Sequence, residues 1–279
     1  MPEKKMSKEL YENIYEQAFS FGENWAEYLK KLDAEKIQRA QKSLEEFLGK
    51  GTIKGKTFLD IGCGSGLFSL AAIKLGAREV TSIDPDKNST ECAKYLREKF
   101  KIPSKKWKIL KGSILDKKFI KKLPKADITY SWGVLHHTGD MWRALDNAIS
   151  LVRKKGTLYI AIYNKYTGPL SSKSWLKIKK LYVRSPKLVK KAMELLYAGE
   201  QLISLAIRLK NPIAYVRNYK TDRGMSFMRD VTDWLGGYPY EYATPAEIEE
   251  HCKRRGLKLV KIKHRKGTGC NEFVFKRTC

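Results

Sequence analysis

Residues 58 to 66 read Phe58-Leu59-Asp60-Ile61-Gly62-Cys63-Gly64-Ser65-Gly66. An apolar run ends in a carboxylate and then in three glycines at alternate positions, so a buried strand must break into a tight turn. The following Leu67 to Leu75 is helical in composition, and Gly76 is placed to stop it. A strand, a glycine turn and a helix N-terminus form a crevice in which backbone approaches a ligand closely.

The rest of the chain repeats the strand and helix alternation that this turn begins. Val80 to Asp84 is a β-branched run ending in a second carboxylate, about twenty residues past the first glycine, where an acid reaches a ribose diol. A helix through Cys92, Ala93, Leu96 and Phe100 leads to a strand from Trp107 to Lys111. Asp127 to Trp132 is a fourth strand, a helix runs from Met141 to Val152, and Thr157 to Tyr163 is a fifth strand. Thr244-Pro245-Ala246-Glu247 is a capping box, and a hairpin of Leu257 to His264 with Glu272 to Lys276 closes the sheet with an antiparallel strand. The expected fold is α/β: a doubly wound, mostly parallel seven-stranded sheet of Rossmann-like type with a helical insertion after the fifth strand.

The alternation stops between the fifth strand and the capping box. The expected organisation is therefore a helical lead-in at 1–50, the α/β domain at 51–164 with 244–279, and an insertion at 165–243. In the lead-in, residues 7 to 30 mix acids with Tyr11, Tyr15, Phe19, Phe21 and Trp25. Asp33 then caps a helix through Ile37, Ala40, Leu44, Phe47 and Leu48. The insertion holds helical patterns at Trp175 to Val183, Pro186 to Tyr197 and Glu200 to Leu209. It carries fourteen Lys or Arg against three acids from Lys165 to Arg223.

Charge enters the argument there. Lys and Arg number 56 against 30 acids, a formal net charge of +26, and the excess recurs at 99–125, 165–223 and 251–279. An imbalance of this size suits a polyanion, nucleic acid or an anionic membrane. No run reaches the ~18 apolar residues of a membrane span and no apolar signal follows Met1 to Lys5, so a cytoplasmic protein without stable membrane insertion is expected. The five cysteines show no C-x-x-C pairing, and no metal site is expected.

Leu67 stands where a nicotinamide-type third glycine would fall, and no lysine follows Gly66 as a phosphate loop requires. The D-x-G-x-G-x-G form with Asp84 on the next strand resembles class I S-adenosylmethionine-dependent methyltransferases, over roughly residues 50–164 and 244–276. The resemblance implies S-adenosyl-L-methionine as cofactor. By its match, Asp60, Gly62, Cys63, Gly64 and Gly66 hold the methionine moiety, Asp84 takes the ribose hydroxyls, and Ser113 and Ile114 frame the adenine. Ser131, Trp132 and Gly133 line the space between the methyl and its acceptor. His136 and His137, just past the fourth strand, are candidate bases, although a histidine there also fits a packed core. Asp140 is placed to cap the next helix, and Tyr163 and Asn164 to bind a substrate edge.

Two acceptors fit the insertion. Its cations neutralise RNA phosphates while Trp175, Tyr182, Tyr219, Trp234, Tyr238 and Tyr240 are candidate stacking surfaces, although each taken singly fits the core of the helical insertion better. Alternatively, basic amphipathic helices such as Trp175 to Leu181 lie on an anionic membrane and present a quinol, lipid or other small molecule. The spread of charge favours RNA. The very basic members of the family resemble ribosomal-RNA cytidine N4 methyltransferases, so base methylation of ribosomal RNA is the expectation.

Overall fold

The computed structural model describes residues 32–223 and 226–278, so the aromatic stretch at 7–30 lies outside the described residues. The strands are β1 (Thr57–Ile61), β2 (Glu79–Asp84), β3 (Trp107–Lys111), β4 (Ala126–Trp132), β5 (Val152–Tyr163), β6 (Leu257–Lys263) and β7 (Cys270–Arg277). They form one sheet in the order β3-β2-β1-β4-β5-β7-β6. The sheet is mixed: pairs among the first five strands are parallel, and β7 runs antiparallel to both β5 and β6.

Helices α1 (Ala34–Leu48), α2 (Leu67–Lys74), α3 (Lys87–Lys99), α4 (Lys117–Ile120) and α5 (Met141–Ser150) belong to this sheet unit. Asp33 caps α1 by accepting from the Lys36 amide at 2.8 Å. Ile37, Ala40, Leu44 and Phe47 then form its buried stripe, and the Phe47 ring stacks on Tyr159 of β5 with centroids 5.0 Å apart. Each such buried side chain removes apolar surface worth about 1.5–3 kcal/mol. Helix α5 stops at Ser150, two residues earlier than its apolar pattern predicts, because Val152 already pairs with Ala126 as the start of β5.

The sheet strands leave and regain the chain at one point. Asn164 and Ala243 form an isolated parallel bridge. The Ala243 amide donates to the Tyr163 carbonyl at 3.1 Å and the Lys165 amide to the Ala243 carbonyl at 3.1 Å. Helix α10 (Pro245–Lys253) follows, with the expected capping box between Thr244 and Glu247.

Between these ends, Lys173–Tyr240 is a second compact unit. It contains most of α6 (Ser172–Arg184), then α7 (Lys187–Ile207), α8 (Pro212–Arg223) and α9 (Phe227–Gly236). Helix α7 is continuous through Gly199, where two helices were expected; one glycine costs only about 1 kcal/mol, and packing overrides it. Trp175, Tyr182, Tyr219 and Tyr240 are buried in this unit. The Trp175 ring meets Trp234 edge-on at 5.1 Å and Tyr197 at 5.2 Å. These four are therefore core residues, the reading favoured for each of them singly, and not stacking surfaces. Lys179 is also buried, with its Nζ donating to the Trp234 carbonyl and lying 3.9 Å from the Trp234 ring. Trp175, Lys179 and Tyr182 sit at positions i, i+4 and i+7, which puts the lysine on the inner stripe.

Candidate active site

The glycine turn follows β1 at the carboxyl edge of the sheet, with Gly62, Gly64 and Gly66 at φ of +73, +51 and +80°. Side chains are strained there, and Gly62 has a further reason to be glycine. A Cβ on it would stand 2.4 Å from Cγ1 of Val134, in the segment after β4. The turn is thus pressed against the loop that carries the two histidines. Its amides are fixed from β2: Gly62 and Cys63 donate to the Ile83 carbonyl, and Gly64 donates to Oδ2 of Asp84 at 3.0 Å. Asp84 Oδ1 accepts from the Asp86 amide at 2.9 Å.

Asp60 is buried beneath the turn, and Ser69 of α2 donates to its Oδ2 at 2.5 Å. Ser69 Oγ lies 2.6 Å from Ser82 Oγ, which in turn accepts from Trp107 Nε1 at 2.7 Å. With indole able only to donate, the chain of donation runs from Trp107 through Ser82 and Ser69 to Asp60. Sequence reasoning missed this relay. Its signal was Ser82, a polar residue on the inner face of β2 in register with Asp60.

Two carboxylates are therefore buried side by side at the turn. Burial raises Asp60 to about 7, with the charge of Asp84 adding to it, and burial raises Asp84 to about 6 against its amide hydrogen bonds. Among the described residues no Lys or Arg pairs with either. A cationic ligand would offset that cost, and a carboxylate has acceptor capacity left for hydroxyls. The sulfonium, ammonium and ribose of S-adenosylmethionine fit this donor set. Ser113 sits half-buried after β3 with its Oγ accepting from Leu115, and Ile114 is buried with its carbonyl held by Asn147. The thiol of Cys63 is buried and pushed well up by that burial, which leaves it a packed thiol.

On the acceptor side three of the candidate residues are held by structural contacts. Ser131 is fully buried and donates to the Ile61 carbonyl at 3.1 Å, tying β4 to β1 instead of facing a substrate. His136 is fully buried, accepts from the Tyr163 amide through Nδ1 at 3.3 Å, and packs on the Tyr163 ring at 4.0 Å. It is a core histidine. Asn164 spends its amide on Gly267 and Asn271, at 2.9 and 3.0 Å, and secures the bridge to Ala243. Asp140 caps α5 through the Arg143 amide, as expected.

What remains open at the ends of β4 and β5 is aromatic. Trp132 is 46% exposed, and His137 and Tyr163 are half-buried with ring centroids 5.4 Å apart. Two acids that sequence reasoning passed over hold this wall. Glu272 of β7 is buried and accepts from Trp132 Nε1 at 3.3 Å and Tyr159 Oη at 2.6 Å. Glu241 accepts from the Met141 amide with both oxygens, at 3.1 and 3.0 Å, and its own amide donates to the His136 carbonyl at 2.9 Å. Burial pushes Glu241 up to about 7. A glutamate in the apolar strand from Asn271 to Phe275 was the available signal for the first.

A family profile described as a methyltransferase domain matches residues 28–262. Among curated relatives, the ubiquinone biosynthesis O-methyltransferase of Pelagibacter ubique is 30% identical over 113 residues, covering 40% of this chain and 44% of that protein. The ribosomal protein L11 methyltransferase of Helicobacter hepaticus is 52% identical over 52 residues, 18% of this chain and 16% of that protein. The chain thus spans less than half the length of these relatives. Solved structures share the fold. The magnesium protoporphyrin IX methyltransferase of Synechocystis PCC 6803, with bound SAH, superposes with a TM-score of 0.51 at 13% identity, over 86% of this chain and 83% of that one. A SAM-dependent methyltransferase from Aquifex aeolicus gives 0.50 at 15% identity, over 91% and 98%.

Proposed function

The chain belongs to the methyltransferase-domain family, and on that premise we propose that it methylates a hydroxyl on a small aromatic acceptor of the quinol kind. It is an S-adenosylmethionine-dependent methyltransferase. The bound cofactor supplies a methyl group on a sulfonium, reactive enough that the protein has to align, exclude water and move a proton. Asp84, Gly62, Gly64 and Gly66 hold the cofactor, with Asp60 setting the charge beneath it. Trp132 and Tyr163 hold the acceptor ring. His137 takes the hydroxyl proton, a step that an oxygen nucleophile requires and an amine does not.

The observation that carries this reading is the wall of half-exposed rings made by Trp132 at the end of β4, Tyr163 at the end of β5 and His137 in the loop whose Val134 meets Gly62. The name of the Pelagibacter relative, an O-methyltransferase of ubiquinone biosynthesis, agrees with it. Base methylation of structured RNA, cytidine N4 of ribosomal RNA in its most specific form, is the second reading, and the net charge of +26 favours it. The burial of Trp175, Tyr182, Tyr219 and Tyr240 within the helical unit counts against it. Incubation with labelled cofactor and, separately, lipid extract, total RNA and protein extract decides between them. Label in a small molecule of the lipid extract is expected; label confined to RNA would overturn the proposal.

A further inference from the structure

Helix α7 wears its apolar side outward. Taken at 100° per residue, Leu188, Leu195, Leu196, Ile203 and Ile207 fall on one face, and that face is solvent-exposed: Leu188 by 84%, Leu196 by 75% and Ile207 by 76%. Leu209, just past the helix end, is 96% exposed. The side turned into its own unit is the more polar one, where Glu194 is buried and accepts from Tyr182 Oη at 2.6 Å. A surface helix of a globular unit has the reverse arrangement, so this face is built to be covered.

Charge identifies what covers it. Exposed Lys187 at one end and exposed Arg208 and Lys210 at the other bracket the apolar stripe, while Lys190 and Lys191 turn to Tyr182 and Glu194 of their own unit; Glu200 is the exposed acid within the stripe. Twenty-one residues at 1.5 Å each make a stripe roughly 30 Å long. Among the described residues no helix is long and apolar enough to cross a membrane. An apolar stripe with cationic ends, unable to span, matches a helix that lies in the headgroup region of an anionic bilayer.

We infer that the outward face of α7 docks this protein on anionic phospholipid, the stripe inserting among acyl chains and its lysines meeting the headgroups. The inference goes beyond the acceptor proposed above, since docking is read without cofactor or substrate. The test is co-sedimentation of the full chain with vesicles of phosphatidylcholine alone or with roughly one-third phosphatidylserine. Binding at least tenfold tighter to the anionic vesicles is expected, weakening with salt. Leu196→Glu with Ile203→Glu should lose that binding at least tenfold, and Arg208→Glu with Lys210→Glu should erase the preference for phosphatidylserine. Far-ultraviolet circular dichroism and a thermal transition matching those of the unaltered chain show that the helical unit of the variants is folded, since these side chains lie in it. Equal, weak association of the unaltered chain with both vesicles would overturn the inference. So would a lipid-free dimer, seen by light scattering, that Leu196→Glu with Ile203→Glu dissociates, since the face would then cover a second copy.

Discussion

The phenol of Tyr159 donates to the carboxylate of Glu272 at 2.6 Å across 113 residues of chain, joining β5 to β7 inside the sheet unit. Glu272 also receives Trp132 Nε1, so one buried acid orients the ring at the mouth of the site. Tyr159→Phe removes a bond to a charged group and leaves Glu272 with less compensation. Urea denaturation should show a loss of about 1–3 kcal/mol. Glu272→Gln keeps an acceptor for Tyr159, so it should cost less stability while raising the KM of the acceptor through a looser Trp132.

Cofactor binding should depend on pH through the two acids at the turn. Asp60 and Asp84 titrate near 7 and 6, so their negative charge is lost as pH falls through that range. Affinity for the cationic cofactor should drop as pH goes from 8 to 5, and less so for its neutral-sulfur product. The ligand-free protein should behave oppositely. Folded pKa values raised above those of the unfolded chain mean that these groups cost stability as pH rises from about 4 to 7. Asp84→Asn should flatten both profiles and weaken cofactor binding at least tenfold, by calorimetry.

Gly62→Ala should cripple the turn. The positive φ costs about 1–2 kcal/mol for a residue with a Cβ, and the clash with Val134 adds to it. Val134→Ala should relieve only part of the clash, because the Cβ of residue 134 still stands 2.9 Å away, and none of the backbone cost; a double-mutant cycle of unfolding free energies measures the part relieved.

The histidines should separate by what they lose. His136→Ala empties a buried site and should cost about 2–4 kcal/mol in denaturation, comparable to other large-to-small core changes. His137→Ala, at a half-buried position, should cost less stability than His136→Ala. Turnover with a hydroxyl acceptor should fall about 10²–10⁴-fold, with partial recovery as pH rises and the acceptor ionises unaided.

Lys179→Met should stabilise the helical unit at neutral pH. Burial pushes the ammonium down to about 7, below its value in the unfolded chain, so the unfolded state holds more protons between about 7 and 10. Stability of the natural chain should therefore rise with pH across that interval. Thermal unfolding at pH 7 and 9 should show that rise, and the variant should lack it.

Features that depend on near neighbours in the chain were readable before any coordinates. The strand from Phe58, its glycine turn, Asp84 and the Thr244 capping box each rest on residues within a few positions of one another. Direction across the sheet was less readable. Alternation assigns Ser131 to a face, but only the register with β1 places the Ile61 carbonyl above its hydroxyl. In the insertion side-chain type left surface and core both open for the aromatics, and only position shows that Trp175, Tyr182, Tyr219 and Tyr240, with Lys179 beside them, fill a core. The Glu272 pair, 113 residues apart, had no local trace beyond an acid in an apolar strand.

The bridge between Asn164 and Ala243 has an evolutionary consequence. The chain departs from the sheet and rejoins it at neighbouring hydrogen bonds, so seventy-eight residues hang from a single doorway. Closing a loop costs little more when the loop is longer, which makes the length of this segment thermodynamically cheap to vary. A lineage could exchange the whole cassette, and with it the choice of acceptor and of docking surface, without disturbing the turn that donates the methyl.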